Sequence, residues 1–198
     1  MNNLLNLNLN YDYLMTWCKC QSPDLEWRTG YSSLLMSEMA HSIEGPKKIS
    51  VIVSDPRTHK TQTLAHFLAH ILSVAGAKNK LDVLVVSYDE HSARQLRFEA
   101  ERRAGNFWPS TISHLPVGGN VRGRSFDLIF VDDPVNESST MGRVTRWFGD
   151  ELIPRLNPSG RAMVVGSPYR GDDFIHSVID MEQSLVSIVP TWRIRHRE

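Results

Sequence analysis

Cysteine occurs only twice in 198 residues, as Cys18 and Cys20. One intervening residue is too short a spacing for an easy disulfide, and the second pair that a zinc site needs is missing. The thiols are therefore read as reduced and the chain as intracellular. Charge of one sign is lacking too: 22 Lys and Arg stand against 22 Asp and Glu. That balance excludes a strongly basic nucleic-acid coat and leaves room only for a local basic patch. Long apolar runs are absent, since a membrane span needs roughly 20 residues and the best candidate, Phe67 to Ala77, is interrupted by His70 and Ser73. Met1 to Asn10 alternates Asn with Leu and has neither a basic leader nor a small-residue cleavage site, so it does not read as a secretion signal. A soluble, cytoplasmic protein with no membrane partner is expected.

With 41% hydrophobic residues, the chain can bury one mid-sized core. Short β-branched or apolar runs alternate with longer stretches of helical period, which predicts an α/β fold, a mostly parallel sheet flanked by helices. Strands are expected at Ile49 to Val53, Val83 to Ser87, Leu128 to Val131, Ala162 to Gly166 and Leu185 to Val189. Several are continuously apolar, as strands covered on both faces are. Helices are expected at Tyr11 to Cys20, Tyr31 to Ile43, Lys60 to Val74, Glu90 to Arg103 and Glu137 to Leu156. The last is expected to stop at Asn157-Pro158 and Ser159-Gly160, turn formers that would give a tight return to the next strand.

Three segments carry chemistry. The first strand runs through Ser54-Asp55-Pro56-Arg57-Thr58-His59-Lys60-Thr61 into a helix, the context that a phosphate-binding loop requires. In such a loop the helix N-terminus and backbone N–H groups surround phosphate, a Lys neutralises charge and a Thr hydroxyl ligates magnesium. Lys60 and Thr61 occupy those places. Both glycines of the G-x-x-x-x-G-K-[ST] pattern are missing, with Ser54 and His59 in their positions. Glycine normally serves there because the backbone adopts dihedrals that a Cβ penalises. The second segment, Phe126 to Pro134, is an apolar strand ending in Asp132 and Asp133. That layout can put one carboxylate on a magnesium shell and the next beside an attacking water. The third, Val164 to Tyr169, ends a strand in Ser167, where a hydroxyl could sense a γ-phosphate.

Taken in order, these segments resemble the ATPase domain of the large terminase subunit, the DNA-packaging motor of tailed phages. Pro56-Arg57-Thr58-His59-Lys60-Thr61 is similar to the family's Pro-Arg-x-x-Gly-Lys-[Ser/Thr] loop. Val85 to Asp89, followed by Ala93 and Arg94, resembles its second strand and the helix after it. Gly118-Gly119 through Gly123-Arg124 and on to Asp132-Asp133-Pro134 resembles the stretch that leads to its Walker B. Trp147-Phe148, Leu152, Arg155-Leu156-Asn157-Pro158, Gly160, Val164 to Ser167 and Asp172-Asp173-Phe174 follow the family's order as well.

The resemblance spans about Leu35 to Val189 and implies an ASCE-type P-loop ATPase that moves double-stranded DNA. It implies ATP and Mg²⁺ as cofactors. Arg57 and Lys60, within a loop that includes Thr58 and His59, would hold phosphates. Thr61 and Asp132 would hold the metal, Asp133 would be the catalytic acid, and Arg122 would be offered to a neighbouring subunit, with Arg124 an alternative. Implied partners are double-stranded DNA, further copies of the chain in a homo-oligomeric ring, a portal, a small terminase subunit and a separate nuclease chain. The expected organisation is an N-terminal arm and helix over 1–30, an ATPase domain over 31–190 and a basic tail over 191–198, without the family's nuclease domain. The stretch from Arg103 to Gly118 is short for the hairpin that relatives carry there. The alternative reading is a terminase-like binding or scaffold protein that no longer hydrolyses ATP.

Other residues have plainer readings. His66 and His70 lie at i and i+4, a spacing that can chelate zinc, but no Glu follows His66 and no third ligand is visible, so packed or surface histidines are expected. Trp27, Trp108, Trp147 and Trp192 read first as buried aromatics, and Arg193, Arg195, His196 and Arg197 as a solvated basic end.

Overall fold

A computed structural model of the chain describes residues 31–75, 80–105, 109–135, 141–167, 174–181 and 184–189. The expected arm and helix within 1–30, Cys18, Cys20, Trp27, Trp108, Asp172-Asp173 and the basic end over 191–198 lie outside the described residues.

The elements, in chain order, are α1 (Tyr31–Glu44), β1 (Ile49–Ser54), α2 (Lys60–Ala75), β2 (Asp82–Ser87), α3 (Glu90–Ala104), β3 (Thr111–Pro116), β4 (Phe126–Asp132), α4 (Met141–Arg146), a π-helical turn (Trp147–Leu152), a 3₁₀ turn (Ile153–Arg155), β5 (Leu156–Gly166), α5 (Phe174–Ile179) and β6 (Ser184–Val189). The six strands form one sheet in the order β3-β2-β4-β5-β1-β6, and every pairing is parallel. The fold is therefore α/β, an all-parallel sheet with helices on both faces.

Burial explains the composition of the strands. Val83 to Ser87 and Leu128 to Asp132 are buried without interruption, so both faces demand apolar side chains. On one face Leu64, Phe67, Leu68 and Ile71 of α2 pack with Met36 and Met39 of α1, Leu96 of α3, and Ile52, Phe130 and Val165 of the sheet. Phe67 meets Phe130 edge to face, with ring centroids 6.3 Å apart. On the other face Val144, Trp147, Phe148, Phe174 and Val178 cover Val51, Val131 and Val164. Phe148 and Phe174 form a second edge-to-face pair at 5.2 Å.

Local signals set the ends of α3. Asp89 caps it by accepting from the Ser92 N–H at 2.7 Å, and Gly105 ends it at φ 67°.

Three features depart from the sequence reading. Thr111–Pro116, left without an element, is the edge strand β3; it is mostly half-buried and carries Ser113 and His114, so it lacks the apolar run that marks the central strands. The region from Glu137 to Leu156 is helical over its described part, 141–155, but not as one regular α-helix. Residues 136–140 lie outside the described ones, and a six-residue α-helix is followed by π and 3₁₀ turns. Asn157 to Gly160 also form no tight return, because β5 has already begun at Leu156.

These four residues bulge out of the ladder, since Phe126 pairs with Leu156 but Leu128 pairs with Arg161. A Cβ on Gly160 would come within 3.0 Å of the Asn157 and Asp127 carbonyl oxygens, so this close backbone approach requires glycine. Asp127 ties the bulge to the sheet, accepting from Asn157 Nδ2 at 2.6 Å and from the Asp82 N–H at 2.9 Å.

The topology creates a crevice. After β1 the chain leaves toward the α2 face, whereas after its neighbour β5 it reaches α5 on the opposite face. Ligands of open α/β sheets settle at the carboxyl ends of strands where connections diverge in this way.

Candidate functional site

At the carboxyl ends of β1, β5 and β4 the chain brings together Lys60, Thr61, Asp132, Asp133 and Ser167. Lys60 is the first residue of α2 and is 6% exposed. Its Nζ donates to Ser167 Oγ at 2.8 Å and to the Asp55 carbonyl at 3.2 Å, and it stands 3.6 Å from Asp133 Oδ2. An ammonium has three protons, and three acceptors surround this one.

Thr61 Oγ1 donates to Asp132 Oδ2 at 2.7 Å, across 71 residues of sequence. With its proton committed, the threonine oxygen keeps lone pairs for a cation. Asp132 is 4% exposed, and its other oxygen, Oδ1, is buried without a hydrogen-bond partner. A buried acceptor of that kind is costly unless something binds it. Burial, and then the charge of Asp133, push the Asp132 carboxyl up to about 7, against the Thr61 hydrogen bond and the Lys60 charge. The Asp132 backbone is fixed by Ser87 Oγ, which donates to its carbonyl at 2.9 Å.

Asp133 lies just beyond β4 with φ 38°. Its N–H donates to the Val165 carbonyl at 2.9 Å, and its Oδ1 accepts from the Ser167 N–H at 3.1 Å. The turn thus bends the second carboxylate back over the end of β5. Gly166 leaves the room, because a Cβ there would lie 3.4 Å from Asp133 Oδ1 and 3.0 Å from Ile175.

The loop between β1 and α2 keeps left-handed dihedrals without glycine. Arg57 has φ 61° and His59 has φ 58°, so the residue in the second glycine position of the motif adopts the conformation for which glycine is ordinarily used. His59 tolerates it with an exposed ring and an Nδ1 contact to Gln62 Oε1 at 3.1 Å. Ser54 ends β1 as an extended residue outside the left-handed set, so no glycine is needed there. Thr58 braces the loop from within: its hydroxyl donates to the Asp55 carbonyl at 2.7 Å and lies 2.7 Å from Ser54 Oγ. Arg57 is exposed at the turn. No acid sits in the first turn of α2, so the helix supplies no carboxylate of its own to offset its positive end.

Arg122 does not join this cluster. It is exposed on the loop from β3 to β4, where its N–H donates to Asn120 Oδ1 at 3.0 Å. Arg124 is engaged elsewhere, with a hydrogen bond to Ser113 Oγ and its guanidinium 5.0 Å above the Phe126 ring.

The histidine pair is structural. His66 is fully buried, with Nδ1 2.8 Å from the Gln62 carbonyl and Nε2 accepting from Arg103 Nε at 3.1 Å. His70 is also buried. Trp147 is buried too, and its indole N–H donates to the Gly119 carbonyl at 3.1 Å.

Sequence reasoning placed Thr58 in the loop but missed its inward pairing with Ser54, and it missed the support that Ser87 gives the Asp132 carbonyl. Small hydroxyl residues in loops and strand ends give no periodic signal. Among the described residues no helix is long and apolar enough to cross a membrane. No protein-family model matches the chain, and no curated protein matches it at a significant level.

Proposed function

We propose that this chain is a P-loop ATPase of the ASCE type, a terminase-like motor domain that couples ATP hydrolysis to movement of double-stranded DNA, working as a ring. The observation that carries the proposal is the convergence of a Lys-Thr pair at a helix start with Asp132, Asp133 and Ser167, which are 71 to 107 residues away and meet it through two hydrogen bonds and one ion pair. The placement of β5 between the loop strand and the Asp-Asp strand is compatible with that fold.

The residues fit magnesium: Thr61 Oγ1 and the two oxygens of Asp132 would hold it, and the orphaned Oδ1 is the acceptor that such an ion satisfies. When bound, Mg²⁺ neutralises phosphate charge. Lys60 and the open end of α2 bind the terminal phosphates, and Arg57 reaches them from the loop. Asp133 orients the attacking water and accepts its proton as oxygen bonds to the γ-phosphorus and the bond to the β-phosphate oxygen breaks, leaving ADP and phosphate. Ser167, already on Lys60, registers which phosphates are present. An arginine from a neighbouring subunit, with Arg122 the candidate, adds charge stabilisation.

The alternative, a binding protein without turnover, draws on Ser54 and His59 in the glycine positions. The left-handed dihedrals of Arg57 and His59 weigh against it, because the loop shape persists. ATP turnover by the purified protein, with and without duplex DNA, decides between them. Turnover lost in Lys60→Ala and Asp133→Asn supports the motor. Absence of turnover together with no ATP-induced rise in Tm removes it.

A further inference from the structure

Away from the nucleotide cluster, a hollow of about 460 Å³ opens between α4 and the loop after β3, lined by Gly118, Gly142, Arg143, Arg146, Trp147 and Glu151. Its floor is rigid, since Trp147 is buried and bonded to Gly119. Its walls are open at both glycines, where an added Cβ would meet nothing within 4 Å. Arg143 and Arg146 are three residues apart on α4 and therefore share a face. Both are exposed, and neither guanidinium has a hydrogen-bond or ion-pair partner among the described residues. Glu151 lines the same hollow and forms no ion pair with either. Two free guanidinia against one carboxylate, above a fixed aromatic floor, make a site of net positive charge in a chain whose total is zero.

We infer that this hollow binds phosphate groups, and that their source is the sugar-phosphate backbone of duplex nucleic acid. Guanidinium presents forked donors that match two phosphate oxygens. None of the lining side chains belongs to the nucleotide cluster, so the phosphate chemistry stands without the motor reading, whereas the duplex as its source rests on that reading. Backbone contacts of this kind hold DNA without reading sequence.

The test is binding of a short labelled duplex of mixed sequence to the full chain without nucleotide, over a series of salt concentrations. Arg143→Gln with Arg146→Gln removes two phosphate contacts, so the salt slope should fall by about 1.8 and affinity at low salt by about tenfold. Glu151→Gln should tighten binding. Lys47→Gln with Lys80→Gln removes equal charge ahead of β1 and β2, far along the strands from the hollow, and should leave binding unchanged. Inorganic phosphate, titrated at constant ionic strength, separates the sources: failure to displace the duplex supports the backbone, and displacement shows a pocket for free phosphate instead, overturning the duplex as the source. Equal losses in the arginine and lysine pairs, or no loss in either at unchanged Tm, overturn the inference. Basal ATP turnover of the same proteins, measured without DNA, reports on the motor reading separately.

Discussion

Lys60 Nζ donates to Ser167 Oγ at 2.8 Å, joining the first turn of α2 to the end of β5 across 107 residues. This bond ties the loop between β1 and α2 to the carboxyl end of the sheet. The lysine is fully engaged by three oxygens, so under the proposed function an arriving phosphate would have to replace one of them. Asp133, at 3.6 Å, is the most distant of them and is the one expected to exchange.

Binding and turnover therefore separate in Asp133→Asn. The amide removes the charge that competes for Lys60, so ATP affinity is expected to be retained or rise. Turnover is expected to fall about a hundredfold or more, because the proton acceptor is gone. Equilibrium binding of a fluorescent ATP analogue beside steady-state hydrolysis checks both halves.

Ser167→Ala leaves a buried ammonium with one acceptor fewer. Hydrogen bonds to charged groups contribute about 1.5–3 kcal/mol, so urea unfolding of the nucleotide-free protein should show a loss in that range. Saturating ATP should recover part of it, since phosphate oxygens supply the missing acceptor.

His59 carries a left-handed penalty of about 1–2 kcal/mol, while glycine costs the unfolded chain's extra freedom, about 0.5–1 kcal/mol. His59→Gly should therefore stabilise by about 0.5–1 kcal/mol. His59→Val should destabilise, because a β-branched residue tolerates φ 58° least. Equal Tm values for the two variants would contradict the dihedral account.

Acid sensitivity should come from α2. Burial holds both His66 and His70 down to about 4, with the nearby Arg103 charge also lowering His66 and its bond to the Gln62 carbonyl opposing. Folded histidines with lowered values stay neutral while the unfolded chain takes up protons. Their stabilisation is fully present above about pH 6.5 and is lost as pH falls through about 4. Each contributes a slope of about 1.4 kcal/mol per pH unit in that window. His70→Leu should remove one such increment from the urea stability profile.

Much of the sheet was legible because its central strands are buried on both faces, which leaves continuous apolar runs such as Val83 to Val86 and Leu128 to Val131. The edge strand β3 was not, since an edge tolerates Ser113 and His114 and the periodic signal disappears. Asn157 to Gly160 carry genuine turn chemistry, but pairing of Leu156 with Phe126 places it inside a strand as a bulge. At the site, Lys60 and Thr61 were visible as helix-start residues and Asp132, Asp133 and Ser167 as strand-end residues. Their mutual contacts were not, because only the order β4-β5-β1 brings them to one edge. The missing glycines pointed to a changed loop, yet Arg57 and His59 hold the left-handed shape themselves.

The strand order also bears on how the molecule comes into being. Among the described strands β1 is the earliest made, but its two neighbours are the last: Ile49 waits for Ala162 on one side and Ser184 on the other. Until then an apolar strand with both edges unsatisfied is exposed to chance pairing, and such late, non-local closure is slow and vulnerable to aggregation. The contacts of Lys60 with Ser167 and of the loop after β1 with the end of β5 are thus made only when the sheet closes, so a nascent or truncated chain ending before β5 would lack them.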